Sequence, residues 1–276
     1  MEKVKSLREE FPSIIDRAYA QFKKHRLVQD IMSKDVVTIT LKASMAEASR
    51  IMGANRIGSL IVEVEGKPEG IVTERDLLSK VLAKGKDPEK VSVREVMSTP
   101  LITIGPTATI KEAAQTMISK KGRLAVFKEG KLIGIITAAD LVKSLPEIPE
   151  TLMKIDNVMS KKGIMVPGNT SVADVTVIMG EKRIGSVIVT KEGKPFGIFT
   201  ERDLLTTFLT RGKPLKSKVG DAASSPLINI PLGTSVHQTA LTMALKHIRR
   251  LPVMKDDEMI GIVTARDLVE AYARAA

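Results

Sequence analysis

Along most of the chain the apolar residues fall into two alternating rhythms. Short β-branched runs, Ser59 to Val64 and Glu69 to Thr73, bracket a tight Glu65-Gly66-Lys67 turn and predict a hairpin. Before them Met45, Ala48, Ile51 and Met52 recur at helical spacing behind a Ser, which predicts an amphipathic helix with a polar N-cap. A β-rich stretch, Val36 to Thr40, precedes that helix, and a second helix is expected directly after Thr73. The predicted order is β-α-β-β-α.

That order recurs four times. Gly70-Ile-Val-Thr-Glu-Arg-Asp76, Gly134-Ile-Ile-Thr-Ala-Ala-Asp140, Gly197-Ile-Phe-Thr-Glu-Arg-Asp203 and Gly261-Ile-Val-Thr-Ala-Arg-Asp267 begin 64, 63 and 64 residues apart, a period that marks a repeat protein. Each unit opens on a Val-x-Asp/Glu-hydrophobic-Met-Ser lead, at Val28 to Ser33, Val93 to Ser98 and Ile155 to Ser160; the fourth, Val219 to Ser224, has Ala for Met. The β-rich stretches that follow the later leads are Leu101 to Ile104, Ile164 to Val166 and Leu227 to Ile230. Arg56 to Leu78 and Arg183 to Leu205, offset by 127, agree at 18 of 23 positions, so the duplicated unit is a pair.

The Gly-h-h-Thr-x-x-Asp endings, the Met-Ser leads and the spacing resemble CBS domains, the cystathionine-β-synthase-type modules, in four copies from about Leu27 onward. The resemblance implies an α/β protein of four β-α-β-β-α repeats. These would form two pseudo-twofold Bateman modules packed as a disc, which one chain can complete as a monomer, a homodimer being the other arrangement. The expected boundaries are 1–26 for an extra N-terminal helix, then 27–84, 91–146, 152–211 and 217–276 for the repeats. The N-terminal helix would present Ile14, Ile15, Ala18, Tyr19 and Phe22 and end in the basic Lys23-Lys24-His25-Arg26.

A Thr-x-x-Asp at a strand-to-helix turn has its own chemistry. The first helical N–H groups lack partners and the helix dipole favours an anion there. The Thr hydroxyl is a donor, and the Asp carboxylate can accept from both hydroxyls of a ribose. The candidate ligand residues are Thr73, Arg75 and Asp76; Thr137 and Asp140; Thr200, Arg202 and Asp203; Thr264, Arg266 and Asp267. A capping box, which needs no ligand, satisfies the same pattern. Repeat two lacks the Arg, which weakens its claim on phosphate. The resemblance implies adenosyl ligands (AMP, ADP, ATP or S-adenosylmethionine) with Asp on ribose and Thr on phosphate. They would act as regulatory ligands, with no cofactor required. Arg123 and Arg249-Arg250 precede second strands, and a solvated surface position is their commoner fate.

Composition narrows the class. With no cysteine and three histidines, thiolate chemistry and cysteine-based metal sites are excluded. Phosphate-loop, nucleophile-elbow and His-Glu-x-x-His signatures are missing, so the chain reads as non-catalytic, regulating a separate partner. No apolar run approaches the roughly 20 residues of a membrane span, and the reading is cytoplasmic. Few Asn and Gln beside abundant Lys, Arg and Glu suggest a thermophilic source.

The net charge of +11 favours a polyanionic partner, and two Tyr without Trp argue against base stacking. Ribosomal RNA, met through its phosphates, is the favoured partner; the candidate contacts are Lys161, Lys162, Lys182, Arg183, Arg211, Lys213, Lys216 and Lys218. The alternative is a regulator of an enzyme or transporter without RNA contact.

Overall fold

The computed structural model describes residues 27–144, 153–161, 163–256 and 258–275. The expected N-terminal helix and Lys162 lie outside them. Each repeat contributes one three-stranded sheet: β1 Thr38–Thr40, β2 Ser59–Val64 and β3 Lys67–Thr73; β4 Thr103–Ile104, β5 Leu124–Lys128 and β6 Lys131–Ile136; β7 Met165–Pro167, β8 Ser186–Lys191 and β9 Lys194–Thr200; β10 Ile230–Pro231, β11 Arg250–Lys255 and β12 Glu258–Thr264. In every sheet the first strand runs parallel to the second, and the second is antiparallel to the third. The α/β reading and the four repeats stand.

Local chemistry sets the boundaries. The hairpin turn is two residues, Glu65 at φ 50° and Gly66 at φ 77°, with β3 beginning at Lys67 rather than Glu69. Two left-handed residues in succession match the right-handed twist of the flanking strands. The first strands of repeats one, two and four are shorter than the β-rich stretches predicted and that of repeat three is shifted by one residue; in repeat one Val36 and Val37 precede the strand and line a cavity. Ser44 caps the helix Met45–Asn55 by accepting from the Glu47 N–H, and its Met45, Ala48 and Met52 are buried.

The leads do not stay with the repeats they open. Ser33 bridges to Ile135 of repeat two and Ser98 to Ile71 of repeat one; Ser160 bridges to Ile262 and Ser224 to Ile198 in the second pair. Val28 accordingly lies in the core built by repeat two, and Val93 and Val96 in the core of repeat one. This exchange explains the Gly of the recurring motif. A Cβ on Gly134 would stand 3.1 Å from the Ser33 carbonyl, and one on Gly197 would stand 2.8 Å from that of Ser224.

The pairs join through helices. Met45–Asn55 of repeat one packs on the π-helical Leu204–Leu209 of repeat three, and Val172–Glu181 of repeat three on the π-helical Leu77–Val81 of repeat one. Gly53 and Gly180 allow this approach: a Cβ on Gly180 would meet the Ala83 methyl at 2.3 Å and the Leu78 carbonyl at 2.9 Å. Repeats two and four share one continuous core. The contacts thus close a ring, one to two to four to three and back to one.

Candidate functional site

Thr73–Asp76 and Thr200–Asp203 form full capping boxes, and Thr137–Asp140 and Thr264–Asp267 make the Asp-to-Thr half of one. The Thr hydroxyls of Thr73, Thr137, Thr200 and Thr264 donate to Oδ2 of Asp76, Asp140, Asp203 and Asp267 at 2.6, 2.7, 2.7 and 2.7 Å, and the same oxygens accept from the Thr backbone N–H groups. Each hydroxyl proton is therefore committed to its own Asp. Oδ1 stays available: among the described residues it takes no hydrogen bond in Asp140, Asp203 or Asp267. Cap and ligand site are compatible readings, one on each oxygen.

The exchanged leads turn each Asp toward the other repeat of its pair. Asp140 and Thr137 of repeat two face Ser33, Val37 and Ile57 of repeat one across a cavity of about 270 Å³. Asp267 and Thr264 face Ser160, Ile164 and Ile184 across about 340 Å³. Asp203 and Thr200 face Ser224, Ile228 and Ile248 across about 200 Å³. Each cavity is lined by apolar side chains, one motif Asp and several arginines, and the Asp267 cavity also by Glu74 and Glu201.

The arginines converge because all four repeats meet at the ring's centre. Arg249 lines all three cavities, Arg202 lines those of Asp140 and Asp203, and Arg250 those of Asp203 and Asp267. Arg123 also faces the Asp140 and Asp267 cavities, so these residues are not solvated surface cations. Repeat two, without an Arg in its own motif, obtains cations from Arg56, Arg123, Arg202 and Arg249. Arg75 lines the Asp267 cavity rather than its own repeat's, and Arg266 lines that of its own Asp267.

Two glutamates hold this centre together, and neither was marked in the sequence reading. Glu201 Oε2 accepts from Arg250 Nη2 at 3.2 Å and Oε1 from Arg75 Nε at 3.4 Å. Glu74, 4% exposed, has Arg249 at 3.9 Å from Oε2 and Arg202 Nε at 3.9 Å from Oε1, beyond hydrogen-bond reach. Glu74 Oε1 and Arg202 Nε are buried without a hydrogen-bond partner. Gly58 and Gly185 make room, since a Cβ there would stand 2.7 Å from Glu74 Oε2 and from Glu201 Oε2 respectively. The signal available in the sequence was an acidic residue at the same motif position in repeats one and three only.

Burial governs the protonation of these groups. It pushes the Glu74 carboxyl above the usual range, opposed by Arg249. It also raises Asp203 and Asp267 against the lowering effect of their Thr hydrogen bonds. Arg123, Arg202 and Arg250 are shifted down from the ordinary guanidinium value, again foremost by burial. Five arginines (75, 123, 202, 249 and 250) against two glutamates leave the centre short of negative charge.

The expected RNA contacts are not gathered. Lys161, Lys182, Arg183, Arg211, Lys213, Lys216 and Lys218 are exposed. Arg183 lines the Asp267 cavity, whereas 211–218 flanks the start of the helix Val172–Glu181, where Val172 N–H donates to the Ser217 carbonyl. His247 is an exposed left-handed helix cap. Among the described residues no helix is long and apolar enough to cross a membrane, and no cluster of His, Cys, Asp and Glu suits a metal ion.

Comparisons with known proteins agree with this architecture. The chain is 33% identical over 268 residues to the uncharacterized protein MJ1404 of Methanocaldococcus jannaschii, covering 89% of this chain and 62% of the relative. It is 37% identical over 128 residues to the uncharacterized protein MK0525 of Methanopyrus kandleri, covering 45% and 65%. The chain therefore spans less than two thirds of the length of either. The crystal structure of protein MJ1225 from M. jannaschii superposes with a TM-score of 0.74 at 23% identity over 90% of this chain and all of that one. The CBS domain model matches residues 28–83, 93–147, 155–209 and 219–274, and with four such matches the chain belongs to the CBS-domain family.

Proposed function

We propose that the protein is a non-catalytic regulatory module that senses an adenosyl ligand, with adenine nucleotides favoured over S-adenosylmethionine. The observation that carries this reading is the lining of the three cavities. Each cavity brings together an Asp oxygen for ribose hydroxyls, apolar side chains for the base and arginines for phosphates, in a centre where five arginines face two glutamates. A sulfonium ligand brings positive charge to those arginines and loses the attraction. Isothermal titration with AMP, ADP, ATP and S-adenosylmethionine tests it. Nucleotides bind, and Asp203→Asn and Asp267→Asn each weaken binding by about 1.5–3 kcal/mol, the scale of hydrogen bonds to a charged group. No binding by any of the four refutes it.

For the output, the net charge of +11 supports an anionic surface as the regulated partner, structured RNA of the ribosome being its abundant form. Lys213, Lys216 and Lys218 with Arg211 are the candidate contacts. Co-sedimentation with ribosomes that falls steeply with salt supports this. Its absence at low salt directs the search to a protein enzyme or transporter, with the ligand reading unaffected.

A further inference from the structure

The fourth cleft, at Asp76, differs from the other three. Asp76 is 8% exposed, while Asp140, Asp203 and Asp267 are half-buried. Its Oδ2 takes the Thr73 hydroxyl and N–H like the others, but its Oδ1 is also occupied: Lys80 Nζ lies 2.8 Å away. The same ammonium donates to the carbonyl of Val96, in the lead that repeat two sends across onto repeat one. The residue four positions after the Asp is Ser144, Thr207 and Ala271 in the other repeats, so none of them can place a cation there. The clefts of Asp140, Asp267 and Asp203 are lined by Ile57, Ile184 and Ile248, each directly after a left-handed residue; the equivalent place in repeat two is Gly122, where a Cβ would meet Ile102 Cδ1 at 2.5 Å.

We infer that Lys80 is the built-in occupant of the Asp76 cleft, so that this cleft takes no adenosyl ligand while the remaining three stay open. The inference rests on the ligand reading above for the identity of what is excluded. The physical reason is competition for one acceptor. Both Asp76 oxygens are already engaged, and a ribose hydroxyl would have to displace a charged donor held by two partners, at a cost the other clefts do not impose. Thr73 and Asp76 are then a structural cap, and Arg75 serves the Asp267 cleft.

Equilibrium dialysis with labelled ADP counts bound equivalents per chain in the wild type, in Lys80→Met, which keeps the aliphatic stem, and in Asp76→Asn. The expected result is one additional equivalent in Lys80→Met and no change in Asp76→Asn. Circular dichroism melts confirm that both variants fold. Equal counts in wild type and Lys80→Met overturn the inference, as does the loss of one equivalent in Asp76→Asn. The two readings fail separately: a wild type that binds no ADP refutes nucleotide sensing, and the difference between wild type and Lys80→Met still reports on Lys80.

Discussion

Glu201→Gln tests the stability of the arginine centre and the proposed ligand binding together, with opposite signs expected for the two. In the unliganded protein its carboxylate, with a side chain 9% exposed, neutralises Arg250, 15% exposed, and Arg75, 50% exposed. Removing one partner of a fully buried pair costs about 3–5 kcal/mol, because the other charge is left uncompensated. The half-exposed Arg75 regains water and contributes little, about 0.5 kcal/mol. Arg250 dominates and keeps some solvent access, so the expected loss is about 2–3 kcal/mol. For a chain of this size that lowers Tm by about 5–10 °C. An anionic ligand in the Asp203 or Asp267 cleft meets the opposite situation, since an arginine formerly shared with Glu201 is free to bind phosphate. ADP should bind roughly tenfold more tightly, a gain of about 1.4 kcal/mol. Differential scanning fluorimetry with and without ADP, together with titration calorimetry, reads both effects. If Glu201→Gln weakens ADP binding, the carboxylate belongs to the ligand site and its role as internal counter-ion is refuted.

Three further outcomes follow from the same geometry. Glu74 has a raised folded-state pKa, so its contribution to stability is present below the ordinary carboxylate value and is lost as pH rises through the folded one; urea midpoints measured from pH 7 down to 5 should climb in the wild type more than in Glu74→Gln. Gly180→Ala should destabilise by about 1–3 kcal/mol through overpacking, because its Cβ meets the Leu78 backbone carbonyl, whereas Gly66→Ala meets no atom and acts only through its left-handed backbone; chemical denaturation distinguishes them. Replacing Arg211, Lys213, Lys216 and Lys218 by Ser should flatten the plot of log ribosome affinity against log salt by about 0.7–0.9 per lost phosphate contact and leave ADP binding unchanged.

The repeat, its strand order and the Thr-Asp turns were legible because they depend on local chemistry: a period-2 run, a capped helix, a Glu-Gly turn. Met45, Ala48 and Met52 were legible as one helix face for the same reason, and all three are buried. What escaped depends on contacts between repeats. Arg250 precedes a strand, where the base rate favours solvent, and only the meeting of four repeats buries it beside Glu201. Lys80 sits one helical turn beyond Asp76, an unremarkable i,i+4 pair until the Val96 carbonyl is brought against it by a lead from elsewhere in the chain. The Gly of the motif was visible as punctuation, but its cause, a neighbouring backbone 2.8–3.1 Å from the missing Cβ, was not.

The exchanged leads also say something about how such a chain can be inherited. A repeat excised alone would keep a lead whose docking site is gone and expose the core that the missing lead had sealed, as Val93 and Val96 seal that of repeat one. Gain or loss of a single unit would leave one lead undocked and one core unsealed, whereas a whole pair carries both. The 127-residue similarity between repeats one and three has the spacing of such a pair. The Gly53 and Gly180 contacts, at equivalent places in the two pairs, are where the halves fit each other.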